Sequence, residues 1–151
     1  MVAAYDGFSF LLVQSGLRWA VGQSEVFDYP TLRTADDAYK LTEHMRTLPD
    51  ERMAVFCLKP NGLVIAIEEF SGEALVEVFK EPARLTHAAL LTNASGIVVV
   101  RNSADLLPRT GDAKLVRALV KALGARSLHF LDYLVITPTG YISVPDPAKV
   151  R

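Results

Sequence analysis

The chain has 151 residues, half of them hydrophobic and 22% charged, with 16 Lys plus Arg against 17 Asp plus Glu and a formal net charge of -1. That balance excludes a disordered chain, and a chain of this length buries roughly two thirds of the surface its unfolded form exposes, enough for one core without disulfides or structural metal. A near-neutral chain is no general polyanion binder, so contact with nucleic acid requires a local basic patch.

Cys57 is the single cysteine and cannot pair within the chain, and three histidines leave little material for transition-metal chemistry. Residues 8–13 form an apolar run too short to span a bilayer, and the first residues lack the basic flank and cleavage site of a secretion signal. The expectation is a cytoplasmic, non-membrane protein. One domain is expected over 1–151, divided into an N-terminal β element (1–33), a core (34–144) and a tail (145–151).

In chain order, residues 8–13 and 17–21 flank the turn-sized Gln14-Ser15-Gly16 and predict a small antiparallel element, with a third short run ending at Pro30. Thr34 then opens a helix ended by Pro49, with Asp37 as a near miss of a capping box and Ala38, Leu41, Met45 and Leu48 on one face. Residues 52–58 and 63–70 are apolar runs joined through Asn61-Gly62, the strongest short signal for a hairpin. Pro82 starts a second helix, with Leu85, Ala88, Ala89 and Thr92 on its buried side. Residues 96–100 read as a strand covered on both faces, followed by a polar loop over 101–111. Asp112 then caps a helix whose Leu115, Val116, Leu119, Val120 and Leu123 form an apolar stripe ended by Gly124. Residues 130–137 and 141–144 close the chain as strands. The fold class is α/β, a single mixed β-sheet flanked by about three helices.

Several ordered segments carry a resemblance: Glu51-Arg52-Met53 leading a strand, Asn61-Gly62, Glu68-Glu69-Phe70-Ser71-Gly72, Asn93-Ala94-Ser95, Leu131-Asp132-Tyr133 and Gly140-Tyr141-Ile142-Ser143. From about residue 34 to 143 the chain resembles the JAB/MPN (JAMM-type) domain of bacterial RadC proteins, often labelled DNA repair proteins. The resemblance implies a JAB/MPN-like fold with cytidine-deaminase-like layering. It also implies where a zinc site stands in metal-binding relatives: His-x-His after the third strand, seven residues, Ser, two more residues and Asp, with a strand-leading Glu as general base. Laid on this chain without gaps, those positions are Arg101, Ser103, Gly111 and Lys114. Only Asn102, between the paired positions, and Glu51 keep the family's residue.

The changes are chemically disabling. A catalytic zinc takes about three N, O or S ligands and keeps a position open for water, whereas a guanidinium offers no lone pair and two cations repel a dication. We therefore expect no cofactor, former metal-site positions at Arg101, Ser103 and Lys114, and Glu51 as the residual catalytic candidate. Arg101, helped by Lys114, is expected to pair with Glu51 in place of the ion.

Asp105, Asp112, His87 and His129 lack the spacing that aims side chains at one metal and are read as solvated carboxylates, a helix cap and surface histidines. His44 suits a helix end. Cys57 reads as an inert apolar-strand residue, and neither Ser95 nor Ser103 matches a nucleophile elbow. Six basic residues (Arg101, Arg109, Lys114, Arg117, Lys121 and Arg126) fall between 101 and 126, and Lys114, Arg117 and Lys121 make one helical stripe. That stripe is an ordinary solvated face or an anion-binding face for nucleic-acid phosphate. The N-terminal aromatics Tyr5, Phe8, Phe10, Trp19, Phe27 and Tyr29 supply core or partner-facing surface. The reading is a non-catalytic interaction or scaffold module, with a protein partner or homo-oligomerisation expected. Its rivals are a metal-dependent peptide or isopeptide hydrolase with other ligands around Glu51, Asp105 and Asp112, and a weak DNA-associated protein.

Overall fold

The computed structural model describes residues 30–104, 110–124 and 127–145. Residues 1–29, most of the expected N-terminal β element with its aromatics, Asp105, Arg109, Arg126 and residues 146–151 lie outside them. Thr34 caps helix α1 (Ala35–Leu41): its hydroxyl accepts from the Asp37 amide at 3.2 Å, and the Asp37 carboxylate accepts from the Thr34 amide at 3.1 Å. The near miss read from sequence is a complete capping box. The single helix expected up to Pro49 is two pieces, α1 and α2 (Glu43–Arg46), since Thr42 between them leaves helical geometry and its hydroxyl donates to the Ala38 carbonyl at 2.8 Å.

Strands β1 (Arg52–Leu58) and β2 (Val64–Ser71) form the antiparallel hairpin that Asn61-Gly62 predicts. Gly62 sits at φ +86°, and a Cβ there would lie 2.8 Å from the Leu32 carbonyl oxygen, so the turn requires glycine. Helix α3 (Gly72–Lys80) was not foreseen. A 3₁₀ turn (Pro82–Thr86) then leads into α4 (His87–Leu91), the helical region that Pro82 marks.

Strand β3 (Gly96–Asn102) is buried along its whole length and runs two residues further than expected, drawing Arg101 and Asn102 out of the predicted loop. Helix α5 (Thr110–Leu123) crosses over to β4 (His129–Thr137), which pairs parallel with β3, and β5 (Gly140–Ser143) returns antiparallel. The sheet order is β2-β1-β3-β4-β5, a single mixed sheet, as the fold class states.

Side chains alternate across this sheet. Ile97 and Val99 join Val55, Leu75, Val78, Leu85, Leu115 and Leu119 in the core under α3, α4 and α5. Val98 and Val100 join Ala38, Met45, Phe56 and Leu134 in the core under α1 and α2. By the same alternation Arg101 faces α5, and Asn102 faces the α2 side.

Candidate functional site

The site grows from that alternation. Arg101 pairs with Met53 of β1 and Val135 of β4 across the sheet, and Glu51 lies two residues before Met53, on the same face. The Arg101 side chain is 1% exposed. Its Nη1 donates to Glu51 Oε2 at 3.2 Å and to the Asn102 carbonyl at 3.0 Å. Its other two nitrogens engage Asp112 in a fork, Nε to Oδ1 at 2.7 Å and Nη2 to Oδ2 at 2.6 Å. The Tyr133 hydroxyl, from β4, donates to the same Asp112 Oδ1 at 2.6 Å.

Charge explains the protonation states. Burial alone would weaken the guanidinium's hold on its proton, but the hydrogen bonds and charge of Asp112 outweigh it, with a further contribution from Glu51, and the net shift is upward. Burial, followed by the Asp112 charge, pushes the Tyr133 phenol far above its ordinary range, so it serves as a neutral donor. The result is a buried cluster with one fixed cation, two carboxylates and one phenol.

Asn102 points the other way, as strand alternation requires. Its amide Nδ2 donates to the Met45 and Asp50 carbonyls at 2.9 and 3.1 Å, and its Oδ1 accepts from the Arg52 amide at 2.7 Å. It therefore pins the chain just before β1 and fixes where Glu51 stands. Ser103 follows the end of β3, its amide donating to the Ile136 carbonyl at 2.8 Å.

Two expectations need correction. Asp112 is not a helix cap or a solvated carboxylate: it is 1% exposed and is the main partner of Arg101. Lys114 does not assist Arg101, because one half-turn further along α5 it faces solvent. Its exposure also puts it with Arg117 and Lys121, both exposed on α5, where the basic stripe was expected. Gly111 lies in the first turn of α5, and a Cβ on it would stand 3.4 Å from the Phe79 ring.

The remaining residues are dispersed. Cys57 is fully buried, and burial pushes its thiol up to about 12, so it is no nucleophile at neutral pH. His44 meets Glu69 of β2 at 2.6 Å rather than a helix end alone. His87 is exposed at the start of α4, and His129 is exposed at the start of β4. Ser95 donates its amide to the Leu58 carbonyl at 2.8 Å. Tyr133 is the site residue that sequence reasoning missed; its place beside Asp132 in the closing motif was the signal available.

The zinc implied by the resemblance does not fit these residues. A guanidinium, which cannot ligate, already bonds both carboxylates, and among the described residues no three His, Cys, Asp or Glu side chains cluster to hold a metal. Among the described residues no helix is long and apolar enough to cross a membrane.

A family model described as "RadC-like JAB domain" matches residues 32–149. A UPF0758 protein of Alcanivorax borkumensis is 30% identical over 112 residues, covering 73% of this chain and 50% of the relative. Another, of Caldanaerobacter subterraneus, is 33% identical over 98 residues, 64% of this chain and 42% of the relative. A third, of Porphyromonas gingivalis, is 28% identical over 113 residues. The chain spans about half the length of the curated relatives it matches.

Proposed function

This chain belongs to the RadC-like JAB domain family, and from that premise we propose that it is a non-catalytic member, an interaction or scaffold module in which an internal guanidinium stands where relatives hold zinc. The observation that supports this is the enclosure of Arg101, 1% exposed, between the carboxylates of Asp112 and Glu51. A general base needs a metal-bound water or another acid to act on, and Glu51 has a permanent cation beside it instead.

Leu91, Leu131 and Val76 are 71%, 55% and 53% exposed but sit on α4, β4 and α3, and apolar side chains scattered in this way are ordinary at a protein surface. The exposed stripe of Lys114, Arg117 and Lys121 is read as a solvated face, with the DNA-associated role as the alternative it leaves for experiment. We place the protein in the cytoplasm on the strength of its unpaired cysteine.

The test is metal analysis of protein purified without chelator, together with a zinc-dependent peptide and isopeptide hydrolysis assay. The reading expects neither stoichiometric zinc nor zinc-stimulated cleavage. Stoichiometric zinc that disappears in Glu51→Gln would overturn this reading, and zinc-stimulated cleavage would favour the hydrolase.

A further inference from the structure

We infer that the end of the sheet away from Arg101 carries a docking surface, two adjoining clefts meeting at Leu131 that take an extended partner peptide through an apolar side chain next to a carboxylate. This rests on the reading above, since it names the partner chemistry of the proposed interaction module.

Exposure alone does not single Leu131 out; the backbone does. Phe130 pairs with Ile97 and Asp132 with Val98, so Leu131 is the extra residue of a bulge in β4. A bulge re-aims a side chain, and here Leu131 is turned across the start of β3, where a Cβ on Gly96 would stand 2.8 Å from its Cδ1. Leu32, which lines both clefts together with Leu131, is fixed as well. Its amide donates to the Gly62 carbonyl at 2.8 Å, and the neighbouring Pro30 carbonyl accepts from the Val64 amide at 2.9 Å.

The two clefts differ in chemistry. The first, of about 270 Å³, is lined by Ala35, Ala38, Leu58 and Val98, with Asp132 at its edge. Both Asp132 oxygens are engaged there, by the Tyr133 amide at 2.8 Å and the Ser143 hydroxyl at 3.2 Å. The second, of about 410 Å³, adjoins the hairpin turn and carries two cations, Arg33 and Lys59, with no acid among its described lining residues. The Arg33 side chain lies along that turn: its Nε donates to the Asn61 carbonyl at 3.4 Å, and a Cβ on Gly62 would stand 3.0 Å from its Cγ. An apolar anchor suits the first cleft and a carboxylate the second, a pairing in which burial supplies affinity and the two cations supply selection.

The test selects a random peptide library displayed on phage against the immobilised full chain, then measures the enriched peptides by fluorescence polarisation. The expected peptides pair an apolar residue with Asp or Glu. Their affinity should fall at least about tenfold in Leu131→Ser and in Arg33→Glu/Lys59→Glu, and persist in Val76→Ser, on α3 over the other face of the sheet. No enrichment, peptides without an acid, or an affinity that ignores both cleft variants overturns the inference. Self-association that Leu131→Ser abolishes would assign the clefts to a second copy, and displacement by a synthetic peptide of residues 1–29 would assign them to the chain itself; either result overturns the partner peptide. Zinc-stimulated cleavage of the enriched peptides would instead overturn the reading beneath it.

Discussion

Arg101 and Asp112, eleven residues apart in sequence and each with a side chain 1% exposed, meet through a two-pronged bond of 2.6 and 2.7 Å that ties the end of β3 to the first turn of α5. Desolvating two charges costs several kcal/mol, and their mutual attraction offsets this only while both are present. Arg101→Met keeps most of the volume and leaves Asp112 an uncompensated buried charge. Denaturant unfolding should show a loss of about 3–5 kcal/mol, with a large part regained in Arg101→Met/Asp112→Leu. A loss below about 1 kcal/mol in the single variant would mean that the pair is dispensable.

Tyr133 tests the support behind Asp112. Tyr133→Phe removes one hydroxyl from a buried carboxylate and should lower stability by about 1–3 kcal/mol. The loss should shrink in an Asp112→Asn background, because the bond being removed is then between neutral groups. Equal losses in both backgrounds would detach the phenol from the cluster.

Cys57 gives a pH dependence whose sign can be worked out. Burial raises its thiol from the ordinary 9.0 to about 12, so the unfolded chain ionises first. The stabilising contribution is complete below pH 9.0 and is lost as pH rises toward about 12. Unfolding free energy should fall there by up to about 1.4 kcal/mol per pH unit from this group, and Cys57→Ala should flatten the slope. Iodoacetamide should label Cys57 only on unfolding; labelling of the native chain at pH 8 would show that the strand opens.

The exposed stripe on α5 separates the module from the DNA-associated alternative. Replacing Lys114, Arg117 and Lys121 by Ala should change stability by no more than about 0.5 kcal/mol per site and leave low-salt binding to duplex DNA unaltered. If the replacement abolishes binding that salt weakens steeply, the stripe is a phosphate-contacting face.

Much of the fold was legible because its signals are local. Asn61-Gly62 set the hairpin, Pro82 marked a helical start, and the stripe from Leu115 to Leu123 faces the core as its period requires. Helix α3 escaped notice because it opens on Gly72 with no side-chain cap to mark its start. The break at Thr42 depends on a hydroxyl turning back on its own helix, a choice composition does not reveal.

The candidate site was half legible. The meeting of Arg101 with Glu51 followed from the family resemblance, which puts both positions at the zinc site of metal-binding relatives, and the contact is present at 3.2 Å. Asp112 was misread because an Asp ahead of an apolar stripe has the form of a helix cap, whereas its partners lie 11 and 21 residues away. Counting the loop without gaps then placed an exposed lysine where the fold puts a buried carboxylate.

The most direct measurement is a heteronuclear NMR spectrum of the Arg side-chain Nε–H groups, with Arg101 assigned by substitution, recorded before and after excess zinc. The account predicts a downfield Arg101 resonance, slow to exchange with solvent and unmoved by the metal. An Arg101 signal that exchanges as freely as an exposed arginine, or that shifts as zinc binds stoichiometrically, would contradict it.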